Sequence, residues 1–219
     1  HRLHPTTRDG YTHPCVSSIH KEDPGMAHTP TREEALELLR SWQQNENLVA
    51  HGLAVEGVMR YMARKRGYDE DTWGIIGLVH DLDWEKYPDE HCAKTRQALE
   101  EADWPEDWIR AVLSHGWGLV TDVEPQHEME KVLYTIDELT GLVNATAIMR
   151  PSKSVLDMKP KSVKKKWNQK AFAAGVDRSI IEKGAEMLGE DLNTIIEDTI
   201  MGMREVADDI GLRGQPAEA

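Results

Sequence analysis

Four polar groups stand where helical spacing turns them toward an apolar face. His51 lies three residues after Leu48 and four before Val55, and His80 lies four after Ile76 with Asp81 directly behind it. His115 lies three after Val112, and Asp137 four after Leu133. Residues three or four apart share one side of a helix. A single inward histidine is most often a hydrogen-bonded core residue, whereas a buried aspartate is costly unless it pairs or meets a cation. Several imidazoles and carboxylates on the inner faces of successive helices are harder to explain by packing alone. Neutral imidazole and ionised carboxylate together suit Mn²⁺, Fe²⁺, Ni²⁺, Co²⁺ or Zn²⁺. A divalent ion of this kind, or Mg²⁺, is the expected cofactor.

Polar residues close to these candidates extend the chemistry. Asp81 is placed to bridge two ions or to orient a water. Asp83 and Glu85 follow it closely, as candidate general acids or bases or as solvent-facing acids on a loop. Lys86 is either a phosphate contact or a surface charge. Between Arg150 and Lys170 the chain carries eight basic residues against Asp157 alone. Of these, Arg150, Lys153 and Lys161 flank prolines and are the candidates for gripping a substrate phosphate. Lys164, Lys165 and Lys166 read as a solvated helix face. Trp84 and Trp117 adjoin the candidate ligands, and the other tryptophans read as packing.

The elements that must carry these residues read as helices throughout. Thr31 begins a Ser/Thr-x-x-Glu capping box ahead of Leu36, Leu38 and Leu39. Apolar spacing then predicts a helix from Leu48 to a stop at Gly67, another leading into His80, and one from about Asp89 to Ala102. Pro105 opens a further helix with Trp108, Ile109, Val112 and Leu113 inward. The next runs from Val132 through Val143. After Pro151 and Pro160 come a basic helix near Ser162–Ala173, a short helix opened by Asp177, and a last one from Asp191 to Ile210. No alternating strand pattern is present. The fold class is all-α.

The chain has 219 residues, 39% hydrophobic and 30% charged, enough to bury a sizeable core in one domain. Its net charge of −13 argues against general nucleic-acid binding, and no apolar run reaches the ~20 residues of a membrane helix. Two cysteines, Cys15 and Cys92, make neither a disulfide framework nor a cysteine-based zinc site. A cytoplasmic setting is the expectation. Residues 1–27 lack hydrophobic periodicity and read as a non-core extension, with Met26 a candidate natural start. Residues 28–212 read as one helical domain and 213–219 as a flexible tail.

The order His51, then His80-Asp81, then Asp137 resembles the HD-domain metal-dependent phosphohydrolases, whose pattern is H…HD…D on a helical bundle. The likeness covers about Leu48 to Gly141. It extends more loosely through Asp137-Glu138-Leu139-Thr140-Gly141-Leu142 and Arg150-Pro151-Ser152-Lys153-Ser154 to Lys161–Lys166, like a small group of stand-alone HD proteins. The resemblance implies an HD-type bundle with added C-terminal helices, and one metal held by His51, His80, Asp81 and Asp137. It also implies a second metal at histidines between the HD pair and the final aspartate, an interval occupied here by His91 and His115. The implied activity is hydrolysis of a phosphomonoester or phosphodiester in a small phosphorylated molecule, such as a nucleotide. The chain reads His80-Asp81-Leu82-Asp83-Trp84 where some branches have HD-Ile-Gly-Lys, so cyclic-di-nucleotide cleavage is not implied. Two alternatives remain: a di-iron oxygenase on an HD-like scaffold, and a metal-stabilised binding module without turnover. The expected partner is the small phosphorylated molecule, with further copies of the chain if it is a homo-oligomer.

Overall fold

The computed structural model describes residues 28–216. These form nine α-helices and two 3₁₀ turns, and the only strand-like pairing among them is a single bridge between Trp117 and Thr121. The all-α expectation holds. Residues 1–27 and 217–219, which carry the expected extension and the end of the expected tail, lie outside the described part. No helix among the described residues is long and apolar enough to cross a membrane.

Local chemistry starts and stops the helices. For α1 (Arg32–Trp42), Thr31 Oγ1 accepts from the Glu34 amide at 3.2 Å, and the Thr31 amide donates to Glu34 Oε2 at 2.7 Å. This is the anticipated capping box, and it satisfies donors that a first turn leaves unpaired. Asn45 caps α2 (Glu46–Arg66), which ends at Gly67 with φ +78°, a conformation that strains any side chain with a Cβ. Asp69 caps α3 (Glu70–Leu78) through the Thr72 amide.

Three expected helices are shorter than the sequence suggested, each for a visible reason. The span from Asp89 to Ala102 divides into a 3₁₀ turn at Pro88–Glu90 and α4 (Ala93–Glu101). Between them Cys92 takes φ +67°, which a continuous helix does not permit. After α5 (Glu106–Leu113) and α6 (Glu128–Met149), the basic helix α7 (Pro160–Trp167) stops early. There the Arg178 guanidinium donates to the carbonyls of Trp167, Phe172, Ala173 and Val176, holding the chain as irregular turns. Following α8 (Arg178–Leu188), α9 (Leu192–Glu205) ends before Ile210. The chain then folds back so that the Val155 amide donates to Leu212 O at 2.9 Å and the Gln215 amide to Ser152 O at 2.7 Å.

The long helix α2 is the centre of the bundle and packs against α3, α6 and α9, while α8 packs on α6. Val55, Met59, Ile76, Leu133, Ile136 and Leu139 are fully buried between these helices. A Cβ at Gly202 would come within 2.5 Å of Val58 Cα, so α9 lies backbone to backbone on α2. The bundle therefore fixes α2, the end of α3 and α6 relative to one another, and those are the segments that carry His51, His80-Asp81 and Asp137.

Candidate metal centre

The candidate ligands reach one place by two routes. His51 on α2 and Asp137 on α6 project from helix interiors. The other positions follow helix ends: α3 stops at Leu78, so His80 and Asp81 lie in the turns just beyond it, and His115 lies in the 3₁₀ turn Ser114–Gly116 after α5. The expectation that the ligands all sit on helices is corrected here, and the cause is local. The last carbonyls of a helix lack backbone donors. His80 Nδ1 donates to Gly77 O at 2.7 Å, and His115 Nδ1 donates to Val112 O at 2.6 Å. A carbonyl only accepts, so each Nδ1 must carry the proton. In the neutral ring, Nε2 is then left as a bare lone pair pointing inward.

His91 reaches the same state by another route. Its Nδ1 lies 2.7 Å from Asp83 Oδ1, and Asp83 is fully buried and also accepts from the Thr95 amide at 2.8 Å. A carboxylate holding the far nitrogen of an imidazole fixes its orientation and raises its basicity as a ligand. Asp83, a sequence candidate for acid–base work, is placed instead behind His91.

The inward atoms form two groups that share Asp81. In the first, His51 Nε2 lies 3.0 Å from Asp137 Oδ1 and 3.3 Å from His80 Nε2, and His80 Nε2 lies 3.2 Å from Asp137 Oδ1. Asp81 Oδ2 completes it at 3.7 Å from His51 and 3.5 Å from His80. In the second, His91 Nε2 and His115 Nε2 are 3.1 Å apart, and Asp81 Oδ1 is 3.3 Å from each. Ligands ~2.1 Å from one ion stand roughly 3.0–3.4 Å from each other in octahedral or tetrahedral arrangements. Both groups lie close to that spacing.

Electrostatics point the same way. Burial disfavours the charged form of His80, but the neighbouring carboxylates of Asp81 and Asp137 raise it to about 10. Burial likewise opposes charge on His91, which Asp83 and other neighbours lift to about 9, and on His115, which is held well above the usual imidazole range. Burial alone would raise Asp81 and Asp137; the imidazoles beside them, His80 foremost, hold both well below ordinary carboxylates. Such a cluster is satisfied by positive charge in its midst, whether from protons or from a cation.

Two further groups emerge only from the structure. Cys92 is buried with its Sγ 3.9 Å from His115 Nε2, and with His91 and His115 it makes a second set of donors able to meet on an ion. Burial would push its thiol up, but His115 and His91 bring it down to about 7. Cysteine counting set this residue aside, because the signal is proximity and not number. Glu138 lines the cavity outside both donor groups, and burial beside Asp137 raises its carboxyl to about 7. Following Asp137 in sequence, it reads as the next residue around α6 and so as a different face.

A cavity of about 310 Å³ opens on the cluster, lined on the polar side by His51, Asp81, His91, His115, Asp137 and Glu138. Trp84, Leu119, Val120, Tyr134, Val176 and Ile180 make its apolar side. Trp84 also meets the His91 ring edge-on at 5.0 Å, whereas Trp117 packs on Tyr134 and carries Lys183 Nζ 3.6 Å from its ring centre.

The remaining sequence candidates stand elsewhere. Glu85 Oε2 accepts from the amides of Gln44 and Asn45, fastening the turn between α1 and α2. Lys86 donates to Ser41 O at 3.0 Å beside the Trp42 ring. The Arg150 guanidinium bonds Ser162 Oγ at 2.9 Å and Asp157 Oδ1 at 3.0 Å, tying the loop between α6 and α7. Lys153 and Lys161 are exposed. None of these five lines the cavity, so the candidates for gripping a substrate phosphate are not in its lining. Arg150, beside Pro151, is held in place, but toward its own loop.

Comparison of the chain with protein-family models, with curated proteins and with solved structures finds no match.

Proposed function

We propose that this protein is a hydrolase with one or two divalent metal ions, acting on a phosphate ester in a small molecule, as the likeness to HD-domain phosphohydrolases implies. The observation that carries the reading is Asp81, whose two oxygens reach two separate histidine groups within about one ligand-to-ligand spacing. A carboxylate so placed is suited to joining two ions. The donor chemistry fits: Nε2 of His80, His91 and His115 is aimed inward because each Nδ1 is already committed. Bound divalent ions would supply an acidified water and a polarised phosphoryl oxygen near neutral pH.

The chain's own residues do the rest. His51, His80, Asp81 and Asp137 form one donor group; His91, His115 and the second oxygen of Asp81 form the other. Asp83 keeps His91 in register. Glu138 lines the cavity outside both groups, with Oε2 accepting from the Asp177 amide at 2.9 Å. A second reading, a di-iron oxygenase, is favoured by the four imidazoles against two carboxylates, a donor set that iron also accepts.

One experiment separates them. The purified chain is loaded with Mn²⁺ or Fe²⁺, its metal content measured, and nucleoside monophosphates, sugar phosphates and phosphodiesters screened for phosphate or alcohol release. The hydrolase reading expects release with no O₂ uptake. Substrate-dependent O₂ consumption by the iron form would replace it with the oxygenase. Less than one ion per chain at saturation would sink both.

A further inference from the structure

We infer that the cavity takes a phosphate ester of an uncharged, largely apolar alcohol, held at its phosphoryl end by the donor cluster and along its body by the apolar wall. This inference rests on the hydrolase reading above. Among the described residues no lysine or arginine lines the cavity, while Asp81, Asp137 and Glu138 do. A second phosphate or a carboxylate on the substrate would meet carboxylates and carbon, with no cation to offset its desolvation. A sugar body would bring several hydroxyl groups against Leu119, Val120, Val176 and Ile180, and only Tyr134, Trp84 and Glu138 offer side-chain partners on that side, too few to replace the water they would lose.

The mouth carries the same message. Trp84, Leu119 and Val120 are large apolar side chains left 44%, 64% and 51% exposed, and all three border this one opening. Exposed apolar residues scattered singly are ordinary, but a cluster at the rim of a cavity marks a binding surface. Leu119 and Val120 are also held in place. The turn that carries them is closed by Val120 N to Gly116 O and Gly118 N to Thr121 O, both at 2.9 Å, and by Thr121 Oγ1 to Leu113 O at 3.0 Å. At about 310 Å³ the cavity lies at the small end of small-molecule sites, which suits a compact ester.

The test compares esters whose departing alcohols have similar acidity, so that intrinsic reactivity does not set the order. With Mn²⁺ present, kcat/KM is measured for benzyl phosphate and hexyl phosphate against glycerol phosphate and glucose 6-phosphate. The apolar esters are expected to lead by about tenfold or more. Binding of the non-hydrolysable benzylphosphonate and methylphosphonate is measured by calorimetry in the wild type and in Leu119→Lys, an exposed position where folding tolerates the change. Benzylphosphonate should bind about tenfold tighter than methylphosphonate, and Leu119→Lys should remove that advantage with metal content unchanged. Equal or faster turnover of the glycerol and glucose esters overturns the inference and leaves the hydrolase reading standing. An undiminished benzylphosphonate advantage in Leu119→Lys overturns the assignment to this wall. Turnover of none of the four, with release from a nucleotide or phosphodiester in the wider screen, overturns the inference alone; no release from any ester in either screen removes the hydrolase reading with it.

Discussion

The donor cluster and the basic stretch from Arg150 to Lys170 are opposites in how sequence maps to space. The cluster draws His51, His80, Asp81, His91, His115 and Asp137 from segments up to 86 residues apart into direct contact. The basic stretch is contiguous, yet its members disperse: Arg150 ties a loop, Lys153 and Lys161 are exposed, and Lys166 lies over the Phe172 ring. Density of like residues along the chain is therefore a poor guide to a site here. Helical phase on buried faces is the better one, because only the core forces distant side chains together.

The sharpest way to break the contrast is Asp81→Ala. It removes the carboxylate shared by both histidine groups, so bound metal should drop and turnover fall by more than about a hundredfold, in line with the several kcal/mol such ions supply. Metal analysis and kinetics check this; retained activity would mean that the cluster is a packed polar core.

Next, His115→Ala should leave the group of His51, His80 and Asp137 intact and reduce two bound ions to one. An unchanged stoichiometry of one ion in both wild type and variant would remove the second position. Asp83→Asn keeps one oxygen to accept from the Thr95 amide but removes the carboxylate charge behind His91, and is expected to weaken the second ion by about 10–100-fold without affecting the first. Competition with a chelator of known affinity resolves that difference.

The smallest effects belong to the other region. Arg150→Ala should cost stability, about 2 kcal/mol in urea unfolding for the lost bonds to Ser162 and Asp157, with metal content unchanged. Lys164→Ala, at an exposed helix position, should stay within about 0.5 kcal/mol of wild type. A large loss of activity in Arg150→Ala at full metal occupancy would restore a substrate role for the stretch.

The amino-acid sequence by itself determined the helical class, several helix starts and stops, and the inward phase of His51 and Asp137. Those features follow from capping chemistry and from a period of 3.6 residues, both local. The start at Thr31 and the stop at Gly67 are legible for that reason. The α3 and α5 ends were less legible, because Gly77 O and Val112 O accept from histidine side chains just beyond each helix.

Tertiary structure alone decided the rest. It set Asp83 behind His91, brought Cys92 within reach of His115, turned Glu138 into the cavity, and left the basic residues out of it. Each of these depends on how α6, α8 and the irregular turns after α3 and α5 pack together. Contacts of that kind are fixed by the packing of distant segments, and no spacing along the chain encodes them.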